Sequence, residues 1–279
     1  MKRRAFLGIL AATAISGAQQ TSAQGATAHE TIAAPKAGQS KGLWGTLTKK
    51  VPIPKVIFQL PKGNKKSIAW TIDDGASVST VAEYIKLAKQ EDLRLTFFVT
   101  SAFAAWRKNA KQLKPLVESG QIQLANHTKT HINLVTASDA RIRSELLDCE
   151  QFIMKVYGVD PKPYFRPPYG YYDDRVLRIA AELGYTKPVM WFGVLADSAA
   201  TSSYRILSHA KQWLVGGRIV IDHANSKNTV ADFATVVKTI RSRGLKTVTL
   251  NDAWPLEPGS TTETAGRAKD YFFSGPERR

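Results

Sequence analysis

From about residue 67 onward, short apolar runs alternate with segments whose apolar positions recur every three or four residues. The first pattern predicts buried strands, the second amphipathic helices. Strands are expected at Ile68–Ile72, Leu95–Thr100, Ile122–Ala125, Tyr164–Arg166, Val189–Phe192, Arg218–Asp222 and Lys246–Leu250. Helices are expected between them at Val78–Gln90, Lys108–Ser119, Asp139–Tyr157, Asp174–Leu183, Tyr204–Leu214 and Val230–Arg243. Gly120, Gly158, Gly184 and Gly244 fall just after four of those helices, as C-terminal caps often do. Strands alternating with helices argue for an α/β fold with a parallel sheet, for which closure into a barrel is the natural solution. An open doubly wound sheet is the competitor, but no glycine-rich phosphate loop follows the first strand. In a parallel barrel, chemistry gathers where strands end and loops to the next helix begin.

The flanks read differently. In residues 1–23, Lys2-Arg3-Arg4-Ala5-Phe6-Leu7 precedes a short apolar run, Gly8–Ala12, too short to span a bilayer as a stable helix. Paired arginines followed by Phe6 and Leu7 resemble a twin-arginine export signal, with small residues for cleavage at Thr21-Ser22-Ala23 or Ser16-Gly17-Ala18. No cysteine lies nearby, so the expectation is an exported periplasmic or extracellular protein with no stable membrane anchor after cleavage. Residues 24–66 read as a linker and irregular lead-in, with Val56-Ile57-Phe58 packing on the domain, and His29 reads as solvent-exposed. Residues 67–254 form the expected domain and 255–279 a tail, in which Tyr271-Phe272-Phe273 offers a docking patch.

Composition narrows the choices. The chain has 279 residues, 43% of them hydrophobic and 22% charged, as a soluble globular protein would. Its single cysteine, Cys149, makes no internal disulfide and reads as a packing residue in a helix. The net charge of +16, or +13 without Lys2, Arg3 and Arg4, favours anionic partners. The basic residues are spread along the chain and no nucleic-acid-binding motif occurs. An anionic cell envelope accounts for this surface better than nucleic acid does; solubility alone accounts for it as well.

Candidate chemistry begins at Thr71-Ile72-Asp73-Asp74-Gly75. Neighbouring side chains of an extended chain point to opposite faces, but a sharp turn at Gly75 could bring both acids to one point. Taken alone, Asp-Gly is an ordinary turn signal. Later strand ends supply companions. Asn126-His127-Thr128-Lys129-Thr130-His131 places two histidines four apart; on a helical turn they would share a face and, with Asp74, could hold a metal with one position open. Such spacing is also a common coincidence. In Arg166-Pro167-Pro168-Tyr169-Gly170 the prolines stiffen the loop and leave the Tyr169 N–H as a preset donor, unless the loop is merely a rigid turn. Arg166 could orient Asp73 and keep it ionised. In Ile219-Val220-Ile221-Asp222-His223, alternation puts Ile221 and His223 on one face and Asp222 on the other. His223 is a candidate proton donor or a structural histidine closing the strand; His209, mid-helix, reads as a surface residue.

Together these motifs resemble the polysaccharide deacetylase family, carbohydrate esterase family four with its NodB-homology domain, over about residues 67–254. The resemblance implies a distorted (β/α)7-8 barrel and metal-dependent removal of acetyl groups from N-acetylated glycans or acetylxylan. It implies Asp73 as general base, Asp74, His127 and His131 as metal ligands, Arg166 positioning Asp73, Tyr169 N–H at the oxyanion, and His223 as acid. Asp197 corresponds to the aspartate that tunes that acid, and Ile221 stands where the family has a leucine lining the acetate pocket. Pro168, Tyr171 and Trp191 are the further substrate-binding candidates. Ile72 replaces the family's phenylalanine, and Ser198 stands where its tryptophan would be, a wall for which Trp191 is the substitute candidate. Zinc suits the donor set best, with cobalt or nickel as alternatives. Two other readings stay open: an amidohydrolase of a non-sugar C–N bond, and an exported glycan-binding protein with a dead site, using Tyr171, Tyr172 and Trp106 as a stacking platform.

Overall fold

The computed structural model describes residues 51–195 and 201–255. Their strands are β1 (Ser67–Asp74), β2 (Leu95–Val99), β3 (Ile122–Asn126), β4 (Tyr164–Phe165), β5 (Lys187–Pro188), β6 (Gly193–Val194), β7 (Ile219–His223) and β8 (Lys246–Thr247). The α-helices are α1 (Val78–Gln90), α2 (Ala104–Lys108), α3 (Ala110–Glu118), α4 (Asp139–Tyr157), α5 (Asp174–Glu182), α6 (Ser203–Trp213), α7 (Phe233–Ser242) and α8 (Leu250–Ala253). Every strand pairing is parallel, in the order β5-β4-β3-β2-β1-β7-β6, with β8 against the start of β1. This is the parallel sheet of a distorted (β/α) barrel, in which β1 pairs with three strands, β2, β7 and β8. Residues before β1 tie its flanks together: Ile57 N–H donates to Pro188 O, Met190 N–H to Ile57 O, and Leu60 N–H to Gly217 O.

Alternation along β1 sorts the interior. Ile68, Trp70 and Ile72 face the helices, joining Val81, Tyr84, Phe97, Val220, Phe233 and Val237 in the largest core. Ala69 faces the other way, into a core of Phe98, Ala125, Tyr164, Val189, Ile219 and Leu250. Thr71 and Asp73 continue that inner row by the strand's two-residue period. The register sets Asp73 beside Phe98 and His223, and Asp74 beside Val99, so the C-terminal strand ends lie level.

Local chemistry explains where elements start and stop. Ser77, Ser138, Asp173 and Ser202 each accept a backbone N–H in the first turn of α1, α4, α5 and α6. The four glycines expected as helix caps all have positive φ, Gly158 closing α4 at +77°. The helix expected at Lys108–Ser119 is α3, and the short helix α2 precedes it unannounced; the two are divided at Asn109, whose Nδ2 donates to Ala105 O and Val78 O. The strand expected at Val189–Phe192 is displaced into the flanking β5 and β6. The reason is that Val189 O and Met190 O accept from the Arg166 guanidinium at 3.0 and 3.1 Å. Lys246–Leu250 stops being strand after Thr247, because Thr249 and Asp252 form the capping box of α8. Cys149 is fully buried, its thiol pushed up to about 12 by burial, which makes it a packing residue.

Candidate active site and metal centre

The two acids that end β1 reach one cavity because the chain turns at the second of them. Asp74 itself takes φ +72° and Gly75 φ +92°, so the turn begins one residue earlier than the glycine. The strand's alternation is broken there, and Asp74 swings alongside Asp73. Trp106 pins the turn: its Nε1–H donates to Asp74 O at 2.9 Å. A Cβ at Gly75 would overlap the Trp106 indole, lying 2.6 Å from Nε1. Gly75→Ala is therefore expected to lower thermal stability by about 1–3 kcal/mol from the left-handed φ alone, more with the clash. It should also weaken divalent-cation binding, and calorimetric melts with a cation titration check both.

Asp74, His127 and His131 converge. Asp74 Oδ1 lies 3.3 Å from His127 Nε2 and 3.1 Å from His131 Nε2, and the three donor atoms lie within 4.8 Å of one another. His127 and His131 are not on a helical turn as expected. They lie on an irregular loop with left-handed residues at Thr128 (φ +71°) and His131 (φ +58°). Side chains shape it: Thr128 N–H donates to Asn126 Oδ1, His131 N–H to Thr128 Oγ1, and Thr130 N–H to the buried Glu145 carboxylate. The loop still brings the two imidazoles to 4.9 Å between ring centres.

The outer contacts fix how these groups present themselves. His127 Nδ1 lies 2.7 Å from Arg166 O, a carbonyl that can only accept, so Nδ1 carries the proton and Nε2 faces Asp74. Asn225 donates through Nδ2 to Asp74 Oδ2 at 2.6 Å, and its Oδ1 accepts from Ala76 N–H. Asp74 Oδ1 is then left buried with no hydrogen-bond partner. An orphaned carboxylate oxygen facing two imidazole nitrogens fits a divalent cation of the zinc class. Burial pushes the Asp74 carboxyl up, but the adjacent imidazoles outweigh that and hold it below the ordinary carboxylate range. Burial opposes charge on His127, yet Asp73 and Asp74 together raise its pKa above the ordinary value.

Asp73 is held separately. Arg166 Nη1 donates to its Oδ1 at 2.5 Å, and its Oδ2 is 3.6 Å from His127 Nε2. Arg166 is itself fully buried, bonded to Thr71 Oγ1, Val189 O and Met190 O, with its guanidinium 4.0 Å over the Phe98 ring. Next along that loop, Tyr169 takes φ +60°. Gly170 and Tyr171 N–H donate within the turn, to Pro167 O and Pro168 O, leaving the Tyr169 N–H unused by it.

A cavity of about 500 Å³ is lined by Asp73, Asp74, His127, His131, Tyr169 and His223, with Trp191 and Ile221 among its apolar walls. Several sequence expectations land elsewhere. Pro167, and not the buried Pro168, lines it. Tyr171 is exposed, 6.0 Å from the Tyr169 ring, outside that lining. Trp106 is fully buried under Gly75 and cannot be part of a sugar platform. Asp197 and Ser198 lie outside the described residues, as do His29, residues 1–23 and Tyr271-Phe272-Phe273. Asp222 faces away from His223 as alternation requires, fully buried and accepting from Trp70 Nε1, Tyr84 Oη and Thr229 Oγ1. Asn225 and Arg205 were missed, Trp106 was placed on a sugar platform instead of under the turn, and His209 was read as a surface residue although it lines the cavity. Asn225, two residues past His223, had strand-end proximity as its one available signal.

The parallel β/α barrel, the His-His-Asp cradle and the buried Asp–Arg pair together define the class of fold and site. The model of the polysaccharide deacetylase family matches residues 61–188, and the chain belongs to that family. It is 28% identical over 205 residues to a peptidoglycan-N-acetylglucosamine deacetylase of Bacillus cereus, covering 72% of this chain and 93% of that one. It is 32% identical over 182 residues to an uncharacterised protein of Streptomyces coelicolor, covering 63% of this chain and 68% of the relative. Among solved structures, a CE4 family pseudoenzyme from Bacillus anthracis superposes with a TM-score of 0.63 at 23% identity, covering 72% of this chain and 69% of the other. That likeness is one of fold.

Proposed function

We propose that the chain is an exported, metal-dependent hydrolase that removes N-acetyl groups from an envelope or extracellular glycan, of chitooligosaccharide or peptidoglycan type, releasing acetate. The observation that carries this reading is the division of labour between neighbouring acids: Asp74 belongs to the histidine cradle, while Asp73 is held by Arg166 beside it. Relatives described as peptidoglycan-N-acetylglucosamine deacetylases support the substrate class.

A divalent cation held by Asp74, His127 and His131 would supply Lewis acidity toward the amide carbonyl. Asp73 is the general base: its carboxylate takes a proton from the attacking water while Arg166 fixes its orientation. The Tyr169 N–H donates to the carbonyl oxygen as negative charge develops there. His223, on the strand beside Asp73 and lining the same cavity, gives a proton to the departing amine. Water and amide thus become acetate and a free amino sugar. Asp197 is assigned the tuning of His223, and Trp191 and Ile221 the wall around the acetyl methyl.

Acetate release from N-acetylchitooligosaccharides, peptidoglycan strands and small non-sugar amides tests the reading. Turnover of a glycan is expected. Turnover of the small amides alone would replace it with the non-sugar amidohydrolase, and glycan binding without any turnover would replace it with an inert binding protein.

A further inference from the structure

The cavity carries a second set of polar side chains, which the proposed reaction does not use. Arg205 and His209 lie four residues apart on α6, hence on one face of that helix, and both line the same cavity as Asp73, Asp74 and His223. His209 is half-buried, and its Nδ1 is buried without a hydrogen-bond partner. The Arg205 guanidinium meets no carboxylate among the described residues; only its backbone N–H is engaged, capped by Ser202. Buried polar atoms and cationic forks left without internal partners are the ones a ligand can satisfy. Val194, Ile221 and Trp191 line the same cavity, giving these polar groups an apolar wall beside them.

The donors so arranged select an acceptor. A guanidinium fork matches a planar, two-oxygen anion, and a neighbouring imidazole nitrogen adds a third bond. A neutral chitin-type oligosaccharide offers no such group. We propose that Arg205, with His209 beside it, binds a carboxylate carried by the glycan next to the N-acetylated sugar, making these two residues determinants of substrate choice. This rests on the glycan deacetylase reading and narrows its substrate to an acidic glycan. The carboxylate comes either from the lactyl ether of a muramic-type sugar or from a uronic acid.

Three substrates separate these cases: N-acetylchitotetraose, glycan strands alternating N-acetylglucosamine with N-acetylmuramic acid, and an oligosaccharide alternating N-acetylglucosamine with glucuronic acid. Arg205 is exposed, so Arg205→Gln leaves the fold intact. On the carboxylate-bearing substrate the variant is expected to raise KM about tenfold, the usual size of a lost charge-assisted bond, with kcat unchanged. On N-acetylchitotetraose both constants should stay within about twofold. Arg205→Lys keeps the charge without the fork and should fall between, and His209→Gln should repeat the pattern more weakly. The acidic substrate on which the loss appears identifies the source of the carboxylate. Equal losses on neutral and acidic substrates, or none on either acidic one, overturn the proposal while leaving deacetylation standing. If no substrate releases acetate, deacetylation itself fails. Calorimetric binding of the same three oligosaccharides then decides the inference, and equal affinity for neutral and acidic ones overturns it.

Discussion

Asp73→Asn is expected to lower acetate release by about 10²–10⁴-fold, the range that a positioned general base contributes. The side chain is buried, with one oxygen 2.5 Å from Arg166 Nη1 and the other 3.6 Å from His127 Nε2. An amide of the same shape can still accept from Arg166 but cannot take a proton from water. The substitution also removes the carboxylate that offsets a fully buried guanidinium. Breaking a buried ion pair outright costs about 3–5 kcal/mol. Here the loss should be smaller, because Arg166 keeps Thr71 Oγ1, Val189 O, Met190 O and its stacking on Phe98. The variant is therefore expected to fold with a lower Tm and to keep its cation. A folded, cation-loaded Asp73→Asn protein that releases acetate at the parental rate would remove Asp73 from the role of base.

The parts of this molecule governed by local rules were legible before any coordinates. The helices α1 and α4 run over the residues their periodicity marked, since Ser77, Ser138 and Gly158 cap them with side-chain and left-handed geometry that sequence declares. Asp73, Asp74, His127, His131, Tyr169 and His223 were readable because each sits at or in the loop just after a strand end, and Ile221 because it shares a face of β7 with His223. What was not legible depends on contacts far apart in the chain. Trp106 is 32 positions from the Asp74 carbonyl it bonds, and Asn225 is 151 from the Asp74 carboxylate. Nothing local distinguishes either from a core indole or a loop amide. His209 read as a surface histidine because a helix's own sequence does not say which face meets a cavity formed by other elements. The histidine loop was misread as helical since i, i+4 spacing is only one way to bring two rings together. Here left-handed residues and the Asn126 and Glu145 hydrogen bonds do it instead.

Stripping the divalent cation with a chelator is expected to abolish acetate release, and restoring zinc should recover it least at pH 5 and progressively more as pH rises above 6.5. The asymmetry follows from His127. Its pKa is raised above the ordinary 6.5 by Asp73 and Asp74 against the opposing effect of burial. Without a cation, the protonated ring stabilises the fold fully below 6.5, and that contribution disappears as pH rises through the raised folded value. Asp74 acts in the opposite sense. Held below its ordinary 3.8, it stabilises the fold above 3.8 and loses that contribution as pH falls through its depressed value. The cation-free cradle is thus best satisfied between about 3.8 and 6.5, where a proton on imidazole faces an ionised carboxylate. A cation must displace that proton, so each proton released weakens binding by about 1.4 kcal/mol per pH unit below the folded pKa. Cation-dependent stabilisation should accordingly be near zero at pH 5. It should grow toward about 2.7 kcal/mol where the free cation exceeds its Kd a hundredfold. Melting curves with and without zinc from pH 5 to pH 8.5 read this directly. A Tm increment independent of pH would mean that the cation does not replace a proton on His127, and the cradle formed by Asp74, His127 and His131 would not be its site.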